Sequence, residues 1–199
     1  FKIMKVLLIA TPRSGSMSVY KKLRTRYSPE KNYFEIFNPR THKWPNEDYN
    51  SFIFQQYNSW LETPNSLAKI DPRQVYTRTS RQDAKKILNK MLSESDKIFY
   101  LYRRNTSEQV TILALAKKTK EWNPFRTILE DITEHEFTWC GENILYRYIE
   151  CLDLHEKLPG EILCMEDILN YEPYQNKPQT KYEYTGQNIE DLFSNNLDK

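Results

Sequence analysis

Cysteine is scarce: the chain has Cys140, Cys151 and Cys164, an odd number with no close pair, which excludes a disulfide framework and a cysteine-based zinc site. That usage points to a reducing compartment and a cytoplasmic protein. Long apolar runs are missing too. The stretch Val6 to Ala10 is far too short to span a bilayer, and Thr11, Pro12 and Arg13 follow it with no cleavage-like pattern. Neither sign of charge is in excess: 29 lysines and arginines against 27 acids leave a net charge of +2. This gives no general reason to bind a nucleic-acid backbone, and the Lys21 to Arg26 cluster is the only local motive for one. No repeat and no low-complexity linker divides the 199 residues, so one domain over 1–199 with a single core is expected. Phe1 in place of methionine reads as a processed or engineered start, with Met4 an internal alternative.

What is present alternates between strand and helix signals. Met4 to Ala10 is apolar apart from Lys5, the pattern of a strand covered on both faces of a parallel sheet. Past a turn at Thr11 to Gly15, Val19 and Leu23 recur at helical spacing. Tyr33 to Phe37 reads as a short second strand ended by Asn38 and Pro39, Phe52 to Leu61 as a helix, and Leu67 to Ile70 as a strand before Asp71 and Pro72. Ser80 with Asp83 opens a helix whose Ala84, Ile87, Leu88, Met91 and Leu92 form one stripe. Ile98 to Tyr102 is the next strand, and Thr106 with Gln109 marks the helix after it. A longer helix over 134–158 places Phe137, Ile144, Leu145, Tyr148 and Leu152 inside and stops at Pro159-Gly160. Glu161 to Met165 is the last strand, Asn170 to Tyr184 a loop, and Ile189 to Phe193 a terminal helical turn. This order predicts an α/β domain with a largely parallel sheet flanked by helices.

The most informative segment is Thr11-Pro12-Arg13-Ser14-Gly15-Ser16-Met17-Ser18, between the first strand and an amphipathic helix. Small residues let successive backbone N–H groups turn inward on an anion, the helix N-terminus adds positive potential, and Arg13 adds a fixed charge. The hydroxyls of Ser14, Ser16 and Ser18 are further donors, though not all three can face one ligand. A plain strand–helix turn capped by serines is the alternative. An ATP-binding loop closes with Gly-Lys-Ser/Thr, whereas here Gly15 precedes Ser16-Met17 and no lysine reaches a β- or γ-phosphate. A second cationic segment, Arg103-Arg104-Asn105, leaves the Ile98 to Tyr102 strand ahead of Thr106, Ser107, Glu108 and Gln109. Taken alone it reads as a solvated strand end with one arginine paired to Glu108 or another acid. Both segments fall at carboxyl ends of strands, where open parallel sheets bind their ligands.

Pro-Arg-Ser-Gly-Ser directly after the first strand resembles the 5′-phosphosulfate loop of the sulfotransferase family, especially its bacterial-type members. The resemblance implies a three-layer, P-loop nucleoside-triphosphatase-like fold and the donor 3′-phosphoadenosine 5′-phosphosulfate, with no metal. It implies that Arg13, Ser14, Gly15 and Ser16 hold the 5′-phosphate and sulfuryl group, with Met17 where relatives often carry threonine, and Ser18 beside them. In the family an arginine at the end of the later strand, with a serine two helical turns on, holds the 3′-phosphate. Either Arg103 with Thr111, or Arg104 with Ile112 and a substitute hydroxyl from Ser107, takes that place. Lys177, Gln179, Thr180 and Lys181 resemble the late loop that closes over the adenosine, and Glu166-Asp167 resembles the family's late Glu-Asp pair, assigned here to capping or support.

Sulfuryl transfer resembles phosphoryl transfer, so positioning and cationic stabilisation dominate, and the acceptor hydroxyl or amine still needs a base. Glu35, flanked by Phe34, Ile36 and Phe37, is the first candidate, because an apolar setting raises a carboxyl pKa. The family resemblance points to the same residue, through a glutamate in a Glu-Phe-Phe-like stretch. An exposed edge-strand glutamate is the plain alternative. His42 competes as base, since many cytosolic relatives use histidine, while His135 and His155 read as structural. Lys69 is a further cation if its segment is a strand. Tyr49, Phe52, Phe54, Tyr57, Trp60 and the Trp122 to Phe125 region read as an aromatic acceptor cleft or as core. The acceptor is an unidentified small molecule, carbohydrate or lipid. A nucleotide- or phosphate-binding module without transfer chemistry is the competing function, and a kinase ranks below it.

Overall fold

The first strand sets the architecture. In the computed structural model, which describes residues 3–42, 44, 48–120, 132–169 and 182–194, β1 (Lys5–Ala10) is buried along its whole length. It lies in the middle of a five-stranded, all-parallel sheet with β2 (Lys31–Tyr33), β3 (Ser66–Ile70), β4 (Lys97–Tyr102) and β5 (Glu161–Cys164), in the order β2-β3-β1-β4-β5. Between them run α1 (Ser16–Tyr27), α2 (Tyr49–Leu61), α3 (Pro72–Tyr76), α4 (Arg81–Ser93), α5 (Thr106–Thr119) and α6 (Glu134–Lys157), and α7 (Met165–Leu169) and α8 (Ile189–Ser194) follow β5. No helix among the described residues is long and apolar enough to cross a membrane.

Strand side chains alternate between two cores, as a period of two requires. Val6, Leu8, Ala10, Leu67, Phe99 and Leu101 pack on Val19, Tyr20 and Leu23 of α1 and on Met165. Leu7, Ile9, Ala68, Ile70, Ile98 and Tyr100 face the stripes of α4, α5 and α6. Each such large side chain taken fully out of water stabilises the fold by roughly 1.5–3 kcal/mol, so the two layers of helix are held on by the strands' alternation.

Several boundaries differ from the sequence reading. The second strand is Lys31–Tyr33 and not Tyr33 to Phe37. Phe34 and Glu35 leave the ladder, and Ile36 N–H returns to the carbonyl of Lys69 at 3.2 Å. Ile36 and Phe37 are both fully buried in the core on one side of the sheet. The last strand stops at Cys164, and Met165 begins α7. Asp71 and Pro72 open a helix as well as closing β3: Asp71 accepts from Arg73 N–H at 3.1 Å, and proline suits the first turn. For α5 the cap is Asn105, whose side chain accepts from Glu108 N–H, and not Thr106.

Chain order locates a candidate crevice. β1 connects toward β2 at one edge of the sheet, while its neighbour β4 connects toward β5 at the other. Adjacent strands whose connections leave in opposite directions open a gap beyond their carboxyl ends. The loop at 11–15 and the turn at 103–105 flank this gap.

Candidate functional site

The 11–15 loop is built against the usual backbone preference. Arg13 and Gly15 both take left-handed conformations, with φ of 61° and 76°. A Cβ on Gly15 would stand 2.5 Å from Met165 Cγ, so any side chain here displaces Met165 as well as straining the left-handed backbone. Gly15 is the N-cap of α1 and offers no side chain to its N–H groups, and no acid stands in the first turn. In contrast Asp48, Asp71, Ser80, Asn105 and Thr133 cap α2 to α6 with side-chain oxygens. The positive end of α1 is thus without an internal anion, the arrangement that suits phosphate or sulfate. Ser14 is fully buried, its hydroxyl donating to Thr11 O at 2.8 Å, so it braces the loop. Ser16 is buried at the first helical position, while Ser18 and Met17 are exposed.

Two other elements bring charge to the same edge. Glu35 also holds a left-handed backbone, φ 48°, and of the four non-glycine residues with positive φ among the described residues the other two, Ser28 and Lys120, are helix C-caps. Strain of this kind persists where the surrounding structure enforces it and concentrates at functional sites. The turn sends the Glu35 carboxylate back to Lys69 Nζ at 2.7 Å, with Asn38 Nδ2 at 2.6 Å and Thr41 Oγ1 at 3.4 Å on its other oxygen. Burial lowers the pKa of Arg13, and the Glu35 charge opposes that shift, so the two side chains act on each other. Lys69, on β3, joins them as a buried cation.

The pKa of Glu35 runs opposite to the sequence expectation. Burial pushes it up, but the Lys69 ammonium and the hydrogen bonds from Lys69, Asn38 and Thr41 outweigh burial and hold it below its ordinary value. A depressed carboxyl pKa means that the contribution of this ion pair to stability is present above the unfolded-state pKa. It is lost as pH falls through the folded-state pKa. Lys69→Met leaves burial unopposed by the lysine. The expected result is a Glu35 titration displaced upward by about 1–3 pH units, read from its side-chain carboxyl NMR shift.

His42 lies beside this turn. Burial lowers its pKa against the influence of Glu35, its ring packs on Phe52, and its Nε2 is buried with no hydrogen-bond partner among the described residues. The imidazole is therefore neutral but shielded, whereas about a quarter of the Glu35 side chain, 26 %, is exposed. His135 is exposed, and His155 packs edge-on against Tyr100.

The second cationic segment points inward. Arg103 is 4 % exposed, with Nη2 2.7 Å from Glu108 Oε1 and Nη1 donating to Arg13 O at 3.1 Å, which joins it to the first loop. Arg104 is exposed and pairs with Asp167 and Glu190 at 3.1 and 3.0 Å. Glu166 accepts from the backbone N–H groups of Arg104 and Asn105, each at 3.0 Å, the supporting role its position suggested. Thr111 is 1 % exposed, and its hydroxyl donates to Ser107 O one turn back.

Two residues of this region lie outside the site residues that the sequence suggests. Gln109 Nε2 donates to Thr11 Oγ1 at 2.9 Å and to Pro12 O at 2.7 Å, and Tyr148 Oη donates to Gln109 Oε1 at 2.8 Å. Of the aromatic residues read as acceptor cleft, Phe52 and Trp60 are fully buried core, Phe54 and Tyr57 pack partly buried against it, and Tyr49 is exposed. The Trp122 to Phe125 region and Lys177, Gln179, Thr180 and Lys181 lie outside the described residues. A cavity of about 190 Å³ lined by Arg73, Glu142, Asn143, Tyr146 and Arg147 adjoins Asp71, the residue that Arg147 pairs with and that follows β3. No protein-family model matches the chain, and no curated protein matches its sequence.

Proposed function

We propose that the chain is a sulfotransferase of P-loop-like fold that moves a sulfuryl group from 3′-phosphoadenosine 5′-phosphosulfate to a hydroxyl or amine acceptor. The observation that carries this reading is the left-handed Arg13 and Gly15 backbone ahead of a helix whose N-terminus no side chain caps, with the strained Glu35 turn close enough for its charge to act on Arg13. The donor supplies an activated sulfur. Arg13, the N–H groups at the start of α1 and the hydroxyls of Ser16 and Ser18 bind and orient its anionic end and stabilise charge on its peripheral oxygens. Transfer forms a bond from the acceptor atom to sulfur, breaks the bond from sulfur to the bridging oxygen and leaves that electron pair on the phosphate. The acceptor's proton goes to Glu35, which is ionised at neutral pH and partly exposed. His42, with Nε2 shielded, is the weaker candidate for that proton.

One observation favours a second reading, a nucleotide- or phosphate-binding module without selectivity for a 3′-phosphate. Arg103 and Arg104 are paired with Glu108, Asp167 and Glu190, so a 3′-phosphate at this turn competes with carboxylates already there. The two readings separate in an assay of 3′-phosphoadenosine 5′-phosphate release from the donor across a panel of hydroxyl and amine acceptors. Acceptor-dependent release that is lost in Glu35→Gln is expected, and donor binding with no release under any acceptor supports the module.

A further inference from the structure

We propose that Gln109 and Tyr148 are positioning residues that orient the 11–15 loop for its anion, an inference that rests on the reading of that loop as the donor site. Three consecutive loop carbonyls are tied from within: Thr11 O by Ser14 Oγ at 2.8 Å, Pro12 O by Gln109 Nε2 at 2.7 Å and Arg13 O by Arg103 Nη1 at 3.1 Å. In a trans peptide the C=O and the following N–H point in opposite directions. Fixing Pro12 O and Arg13 O toward α5 and β4 therefore turns the N–H groups of Arg13 and Ser14 the other way, which an anion-holding loop requires.

The bonds from Arg103 N–H through Tyr148 and Gln109 to the Pro12 carbonyl run in one direction. Arg103 N–H can only donate, and it meets Tyr148 Oη at 3.0 Å, so the single phenol hydrogen goes to Gln109 Oε1 at 2.8 Å. The Gln109 amide is then forced to present its nitrogen to Pro12 O, which can only accept, and to Thr11 Oγ1. Gln109 and Tyr148 are both fully buried. Satisfied buried networks of this kind select one arrangement, because the competing ones strand a polar group without a partner. The result couples α6, α5, the end of β4 and the loop after β1. When Tyr148 and Gln109 are intact the loop is set before any ligand arrives.

The test measures the loop and the ligand separately. Gln109→Met keeps length and burial but removes both donors, and Tyr148→Phe removes one hydroxyl from an unchanged ring, the milder change to the fold. Backbone hydrogen exchange at residues 13–17 is expected to rise about tenfold in either variant, with the amides of β1 unchanged. Affinity for 3′-phosphoadenosine 5′-phosphate is expected to fall by a similar factor, and the double variant to fall little further, because either change alone breaks the chain. Additive losses, or loop exchange unchanged in Tyr148→Phe, would overturn the positioning role. If the unaltered protein does not bind this nucleotide the donor reading fails, and the exchange measurement alone decides the role of Gln109 and Tyr148.

Discussion

Glu35→Gln is expected to lower sulfuryl transfer by about 10²–10⁴-fold, the usual contribution of a general base, with affinity for 3′-phosphoadenosine 5′-phosphate retained or raised. Glutamine keeps an oxygen for Lys69 Nζ, now 2.7 Å from the carboxylate, and keeps the left-handed backbone, so the turn at 34–37 survives. It cannot take a proton. Removing a carboxylate that acts on Arg13 also leaves that cation more available to the donor's anionic end, the reason for expecting binding to hold. Steady-state rates beside calorimetric binding check both halves. Transfer retained in Glu35→Gln and lost in His42→Gln would reassign the base to the imidazole, whose low pKa already leaves it neutral.

Gly15→Val is expected to remove anion binding and to destabilise the fold by about 2–5 kcal/mol, from a left-handed non-glycine residue and an overfilled contact together. The backbone at φ 76° is unfavourable for any L-residue and worst for a β-branched one, and the new Cβ meets Met165 Cγ at 2.5 Å. The methionine can shift; φ cannot without moving the start of α1. For a chain of this size each kcal/mol lowers Tm by roughly 2–4 °C, which a thermal unfolding scan resolves. An unchanged Tm with anion affinity intact would mean that the loop does not hold this conformation.

Much of the fold was legible because its signals are local. Val6–Ala10 is apolar and ends in the loop, the α4 stripe repeats at helical spacing, and Pro159-Gly160 follows the end of α6. The site was less legible. Phe34-Glu35-Ile36-Phe37 alternates as an edge strand does, but Ile36 rejoins β3 at Lys69 O, a tie across more than thirty residues that no periodicity encodes. The same fold-back creates the Lys69 pair that reverses the expected pKa shift of Glu35. Arg103 was read with Glu108 as one possible partner, yet its bond to Arg13 O spans 90 residues and depends on β1 and β4 being neighbours. Gln109 and Tyr148 were legible only as a helix-start residue and a helix inner-face residue, because their partners Thr11, Pro12 and Arg103 lie far away in sequence. Asp71-Pro72 does two things at once: it ends β3 after Ile70, as the sequence predicts, and it also starts α3, with an N-cap followed by proline at the first helical position.

The central claim is that this loop serves a bis-phosphorylated sulfuryl donor, and the direct measurement is thermal unfolding with 3′-phosphoadenosine 5′-phosphate, AMP and ATP at equal concentration. A ligand at a hundred times its Kd stabilises the folded state by about 2.7 kcal/mol. The bis-phosphorylated nucleotide is expected to raise Tm most, without magnesium. Equal shifts from AMP, or a shift from ATP and magnesium alone, would contradict it.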